Sequence, residues 1–320
     1  MSFRESIIPV PSPKQLIRLG GDHDGSYLLP DDLVGIEACF SPGVANRKFF
    51  EDELARNYKI KSFMCDYNSD ISKFDTALID KYQTFDKRFL GNKRSDEFIS
   101  LTNWVKKYSP NTQSDLMLQM DIEGNEYSNI LSTSEDIIKR FRIIIVELHF
   151  LNVFKDINPN NLGITTDIIN KTLDKLNLNH SCVHAHPNNF RPEFYDNESQ
   201  LNIPYVIEVT FLRNDRFIGD RNKYFIPDLP NELDISNDPT KLPLHLNFNW
   251  NINKEKSTKS KLKILADIVA YKNLLEASIK EVKDKATISE GSDDEALKKA
   301  QLVLTSLNNR ISLLKKSIYQ

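Results

Sequence analysis

The sequence predicts an α/β sandwich with a mostly parallel sheet, followed by a separate helical segment. Three observations lead there. From about residue 36, short apolar runs alternate with amphipathic stretches, which is the pattern of repeated strand–helix units. The run "RIIIVELHF" is the most apolar in the chain and reads as a central strand. After Trp250, glycine and proline disappear except at one break, and apolar residues recur every three or four positions.

The elements follow in order. "IEACFSPG" is a strand running into a turn, and "ANRKFFEDELARNY" contains the helix after it. "IKSFMCDYNSD" is a strand that ends in acid, and "EFISLTNWVKKYSP" holds a helix that stops near Pro110. "LMLQMDIEGNEYSNIL" starts as a buried strand and becomes a helix, continued through "SEDIIKRF". After the central strand comes a helix in "TTDIINKTLDKLNL". "SCVHAHPNN" and "IPYVIEVTFL" are two more strands, a hairpin with a long connection. The chain then turns irregular, with Pro227, Pro230, Pro239 and Pro243. This divides it into a domain over 1–250 and a helical hairpin or coiled coil over 251–320. There Leu297, Ala300, Leu304, Leu307, Ile311, Leu314 and Ile318 keep strict spacing, and "SEGSDDE" forms a capping box from Ser292 to Glu295. Lys272 interrupts the matching stripe of the first helix, which favours pairing between chains and so a homo-oligomer.

Composition narrows the class. With 320 residues, 40% hydrophobic, and a net charge of −3, the chain has no global field for gripping nucleic acid, so no such partner is expected. Three cysteines, Cys39, Cys65 and Cys182, lack zinc spacing and cannot all pair. With no signal-peptide core and no apolar run of spanning length, this predicts a cytoplasmic protein without a transmembrane segment.

In such folds ligands sit beyond the carboxyl ends of the strands. The polar residues placed there are Ser41 and Gly43, Asp66, Asp121, Glu147 with His149, and His184 with His186. Gly43 in "FSPGV" lets the chain turn beside a helix start. Asp66 ends the second strand, where an acid commonly accepts hydrogen bonds from ribose. Together they predict an adenosyl cofactor. Near the start, "RLGGDHDGSYLLP" reads either as a surface hairpin turn or as a binding loop, with Gly20, Asp24 and Gly25 approaching a ligand. Asp121, Glu147 and His149 fall on neighbouring strands if the fourth and fifth are adjacent. They then form a divalent metal site, or a general base with its orienting partners, unless they are only satisfied polar groups.

"RLGGDHDGSYLLP", "FSPGV", "MDIEGNEYSNIL", "IIIVELHF", "VHAHPNN" and "IEVTF" stand in the order that resembles FkbM-type S-adenosylmethionine-dependent methyltransferases, over about residues 15 to 245. The resemblance implies a Rossmann-like class I methyltransferase sandwich with a seven-stranded sheet, and S-adenosylmethionine as cofactor. It implies that Asp121 faces the reacting centre. Asp121, His149 and His186 are then the catalytic set, with a sugar or glycan hydroxyl, of a cell-envelope polysaccharide for example, as acceptor. Two departures bear on cofactor contacts: the loop reads "GGDHDGS" rather than a shorter form, and proline precedes the glycine of "FSPGV". Natural-product methylation, or a scaffold that merely binds a ligand, are the rival functions. A nucleotide-sugar oxidoreductase is disfavoured because the dinucleotide glycine fingerprint is missing.

Overall fold

Every residue of Phe141–Leu148 is buried, so this run can only lie inside a sheet covered on both faces. The computed structural model describes residues 3–155, 162–197, 199–251, 257–286 and 294–319. In chain order the central sheet comprises β1 (Ile36–Pro42), β2 (Lys61–Cys65), β3 (Gln83–Asp86), β4 (Asp115–Met120), β5 (Phe141–Leu148), β6 (His180–Pro187) and β7 (Ile207–Arg213). Across the sheet they run 3-2-1-4-5-7-6, and β7 alone runs against the direction of the other six. The first five strands follow a doubly wound order, whose switch point lies between β1 and β4.

Alternation along the strands sorts the core into two layers. Phe40, Leu118, Ile144, Val146 and Phe211 join one buried cluster with Trp104, Ile130 and Leu173 of the flanking helices. Cys39, Met117, Ile143, Ile145 and Leu212 join the other, with Tyr27, Phe50 and Leu54. Helices Leu101–Tyr108 and Thr166–Asn177 thus cover the first face. The second lies under the antiparallel hairpin Leu16–Leu19/Tyr27–Pro30 and the helix beginning at Phe49.

The predicted strands and helices are found where the sequence places them, with local differences. Gln83–Asp86 was not read as a strand; it is a four-residue edge strand, half exposed, with too little apolar pattern to register. The helix from Phe49 becomes a π-helix over Leu54–Tyr58 and ends at Lys59 in the left-handed region. The helix after β4 breaks at Thr133, giving Glu126–Ser132 and Glu135–Ile138. The connection from β6 to β7 contains a small hairpin, Glu193–Asp196 with Leu201–Pro204.

Beyond the sheet, helices Thr258–Ala286 and Asp294–Tyr319 pair with each other within one chain. Leu307 of the second stripe is buried in one cluster with Ile264 and Ile268 of the first helix, Leu275, Ile311 and Leu314 pack on it, and Leu304 is buried too, so much of the apolar seam is covered from inside the chain. Lys272, expected to spoil that match, turns aside to pair with Glu276 at 2.8 Å. The capping box at Ser292 lies outside the described residues. No described helix is long and apolar enough to cross a membrane.

Candidate functional site

Strand register lines up the polar side chains. Glu147 on β5 stands opposite Glu208 on β7, and Glu208 opposite His186 on β6. On the other side Met120 pairs with Val146, so Asp121, one residue on, falls beside Glu147. Asp121, Glu147, Glu208 and His186 therefore form a row across four strands, on the face that the N-terminal hairpin covers.

His149, just past the end of β5, gathers the carboxylates. Its Nδ1 lies 3.1 Å from Glu126 Oε1. Its Nε2 lies 3.5 Å from Glu123, 3.6 Å from Glu147 and 3.8 Å from Asp121. The Tyr127 hydroxyl donates to the His149 carbonyl at 2.5 Å and steadies the turn. Burial alone would discharge the ring, but the hydrogen bond to Glu126 and the charges of Glu126, Asp121 and Glu123 outweigh it. The ring is raised to about 9 and carries a proton at neutral pH. Burial, with the added repulsion of Glu126, Glu123 and Asp24 working against the attraction of His149, pushes Asp121 up to about 7. Glu147 is pushed well above the carboxylate range by burial and by Asp121, Glu208 and Asp24. Glu208 is raised by burial too, partly offset by His186 and by the Asn237 amide. Two glutamates placed opposite on one face cannot both ionise cheaply.

The three acids of "DIEGNE" divide into distinct roles. Glu126 is fully buried, accepts the Ile122 N–H at 2.9 Å and orients His149. Glu123 is exposed but sits at φ 55°, a left-handed conformation that is uncommon for a side-chain-bearing residue and that brings its carboxylate beside His149. Asp121 Oδ1 is buried without a hydrogen-bond partner. Ligand atoms of Asp121, Glu123 and His149 lie within 4.8 Å of one another, so two oxygens and one nitrogen would suit a divalent cation. That set has Glu123 where the sequence suggested Glu147. Glu147 Oε1 instead accepts the Asn188 amide at 3.0 Å. The exposed position of Glu123 in the "IEGNE" turn gave no sign that it would fold back.

His186 does not reach this cluster. It lies two strands away from β5, with Nδ1 3.6 Å from Asp234, whose carboxylate also takes His184 Nε2 at 2.9 Å. Burial works against the charged imidazole of His186, but Asp234 and Glu208 raise it. Asp234, from the irregular segment, went unread because nothing nearby in the sequence marks its partners. Glu208 was also missed, although a lone acid inside "IPYVIEVTFL" was a usable signal.

The N-terminal loop has the hairpin form, one of the two readings the sequence allowed. It closes a hairpin, yet Asp24 reaches the row: Asn237 Nδ2 donates to Asp24 at 2.9 Å and to Glu208 at 2.6 Å. Gly20 donates its N–H to Glu53 at 2.8 Å and, like Gly25, holds a positive φ in the loop. Gly43 has a packing reason to be glycine: the chain after β1 passes so close to the end of β4 that a Cβ there would meet the Asp121 carbonyl. Asp66 accepts the Ala45 and Asn68 N–H groups at 3.0 and 2.8 Å, tying the turn after β1 to the end of β2. Ser41 does not line an open site. It is fully buried, and its hydroxyl bonds Glu51 and the Gln119 carbonyl, whose amide reaches the Tyr27 hydroxyl at 2.9 Å.

That inner network has a measurable consequence. Burial, partly offset by the Ser41 hydrogen bond, raises Glu51 from 4.5 to about 7. Between those values the folded chain holds a proton that the unfolded chain has lost. Stability should therefore fall by up to about 3 kcal/mol as pH rises through this window. In Glu51→Gln this component should vanish. Urea melts near pH 5 and pH 8 read it, and an unchanged difference between the two would remove Glu51 as its source.

The function must be read from this geometry, because no family model and no curated protein matches the chain.

Proposed function

We propose that the chain is an S-adenosylmethionine-dependent O-methyltransferase acting on a sugar or glycan hydroxyl. The observation that carries this reading is the position of Asp121. It ends the strand beside the switch point, with an unpartnered buried oxygen, next to the turn that Gly43 and Asp66 hold. The seven-stranded, mostly parallel sheet is the one the family resemblance implies.

Methyl transfer asks little covalent chemistry of a protein. The acceptor oxygen attacks the sulfonium methyl in line, a C–O bond forms as the C–S bond breaks, and the hydroxyl proton must leave. In this reading Asp121 Oδ1, buried without a hydrogen-bond partner, takes that proton. His149, already protonated, anchors the surrounding carboxylates rather than acting as the base first expected of it. In the alternative version of the site, His149 gives up its Nε2 proton, and Asp121, Glu123 and His149 would hold a divalent cation that would polarise the acceptor hydroxyl. Burial pushes Glu147 and Glu208 toward the neutral form, in which a carboxyl both donates and accepts hydrogen bonds, as a sugar hydroxyl does.

Calorimetry with S-adenosylhomocysteine and with NAD tests the class. Binding of the first alone supports the reading, and binding of neither favours a scaffold. Asp66→Ala should weaken S-adenosylhomocysteine binding by about 1–3 kcal/mol, from a lost charge-assisted hydrogen bond. An unchanged dissociation constant would remove Asp66 from the cofactor site.

A further inference from the structure

At the β3 edge of the sheet, away from the acid row, lies a cavity of about 730 Å³ with the opposite charge. Four cations line it, Arg88, Lys93, Arg94 and Lys107, against one acid, Asp96. In a chain with 42 basic and 45 acidic residues, that local excess is not a consequence of composition. Arg88 and Lys107 are steadied by Asp86, at 3.1 and 3.6 Å. Lys93 rests over the Phe98 ring at 5.0 Å, and Arg94 pairs with no described residue. Two cations are thus held in place and two remain uncompensated by carboxylate.

A second feature points the same way. Ser100 and Asn103 also line the cavity, and they begin the helix Leu101–Tyr108, whose N-terminal end favours anions. The cavity is also tied to the acid cluster. Asn129 Nδ2 donates to the Leu90 carbonyl at 3.4 Å, and Asn92 bonds Ser132, at the far end of the helix that starts with Glu126. At 1.5 Å per residue, that helix separates the cavity rim from Glu126 by roughly 9 Å. A short glycan carrying a charged substituent is long enough to run over that length of helix surface.

We propose that this cavity is an oxyanion subsite that takes a phosphate or sulfate group carried by the acceptor. The acceptor half of this proposal rests on the methyltransferase reading; the binding of an oxyanion does not. Guanidinium and ammonium groups supply charge-assisted bonds to either anion, and the helix dipole adds to them, whereas a neutral sugar gains nothing from the charge.

The test is calorimetry on the full chain at low ionic strength, with glucose 1-phosphate, glucose 6-sulfate and glucose as probes, with and without saturating S-adenosylhomocysteine. Either charged sugar should bind and glucose should not; the two charged arms tell phosphate from sulfate. The exposed pair Lys93→Gln/Arg94→Gln should weaken that binding about tenfold or more, with the circular dichroism of the wild type. Equal binding of glucose, no binding of either charged sugar, or unchanged affinity in the double variant overturns the proposal. So does competition by S-adenosylhomocysteine, which would make the cavity part of the cofactor site. Failure of S-adenosylhomocysteine to bind, with the charged sugars still bound, would count against methyl transfer and leave the subsite standing.

Discussion

Replacing His149 with alanine is expected to cut methyl transfer by about 10²–10⁴-fold while changing S-adenosylhomocysteine affinity little. The ring is the one cation within 4 Å of Asp121, Glu123, Glu126 and Glu147 among the described residues. Without it, four carboxylates crowd one partly dry volume, and they relieve their repulsion by binding protons or moving apart. In the proposed mechanism, either response takes Asp121 out of the state and position needed to accept the acceptor's proton. The cofactor residues proposed at the β1 and β2 ends do not touch the ring, so affinity there serves as the internal control. Adding a chelator to the wild type separates the two versions of the site. Loss of turnover, restored by Mg²⁺ or Mn²⁺, places a cation on Asp121, Glu123 and His149; unaffected turnover leaves the proton-transfer version. A fully active His149→Ala would sink both.

The central sheet was legible because its signals are local. Buried runs such as Phe141–Leu148 can only be inner strands, and amphipathic stretches such as Thr166–Asn177 can only be covering helices. The edge strand Gln83–Asp86 was not legible, since half of it faces solvent and it carries no apolar run. The site was legible in part. Placing Asp121 and His149 together needed only the adjacency of two strands, which the order of motifs suggested. Glu123, Glu208 and Asp234 depend on a left-handed turn, on the register of an antiparallel strand and on a segment without regular structure. None of these leaves a periodic trace. The helical stripe after Trp250 showed that something must cover it, but sequence spacing cannot say whether the cover comes from the same chain.

Gly43→Ala should have the largest effect on stability, beyond about 4 kcal/mol, and much of the protein is expected to fail to fold. The residue holds φ +88°, and an added Cβ would stand 1.5 Å from the Asp121 carbonyl oxygen and 2.6 Å from its carbon. Those atoms are backbone, so no rotamer change relieves the contact; β1 and β4 must separate. Separation breaks the Asp121 N–H bond to the Pro42 carbonyl at 3.3 Å and strains that of Gly43 to the Cys65 carbonyl at 2.9 Å. The same motion would displace Asp121 from His149, so any folded fraction should also be inactive. Gly25→Ala provides the comparison. Its φ is +82°, but a Cβ there meets nothing within 4 Å, leaving only backbone strain of about 1 kcal/mol. Denaturant melts of the two variants isolate the steric part from the conformational part. Equal losses at Gly43 and Gly25 would mean that β1 and β4 do not pass this closely, and would remove the structural reason for glycine in "FSPGV".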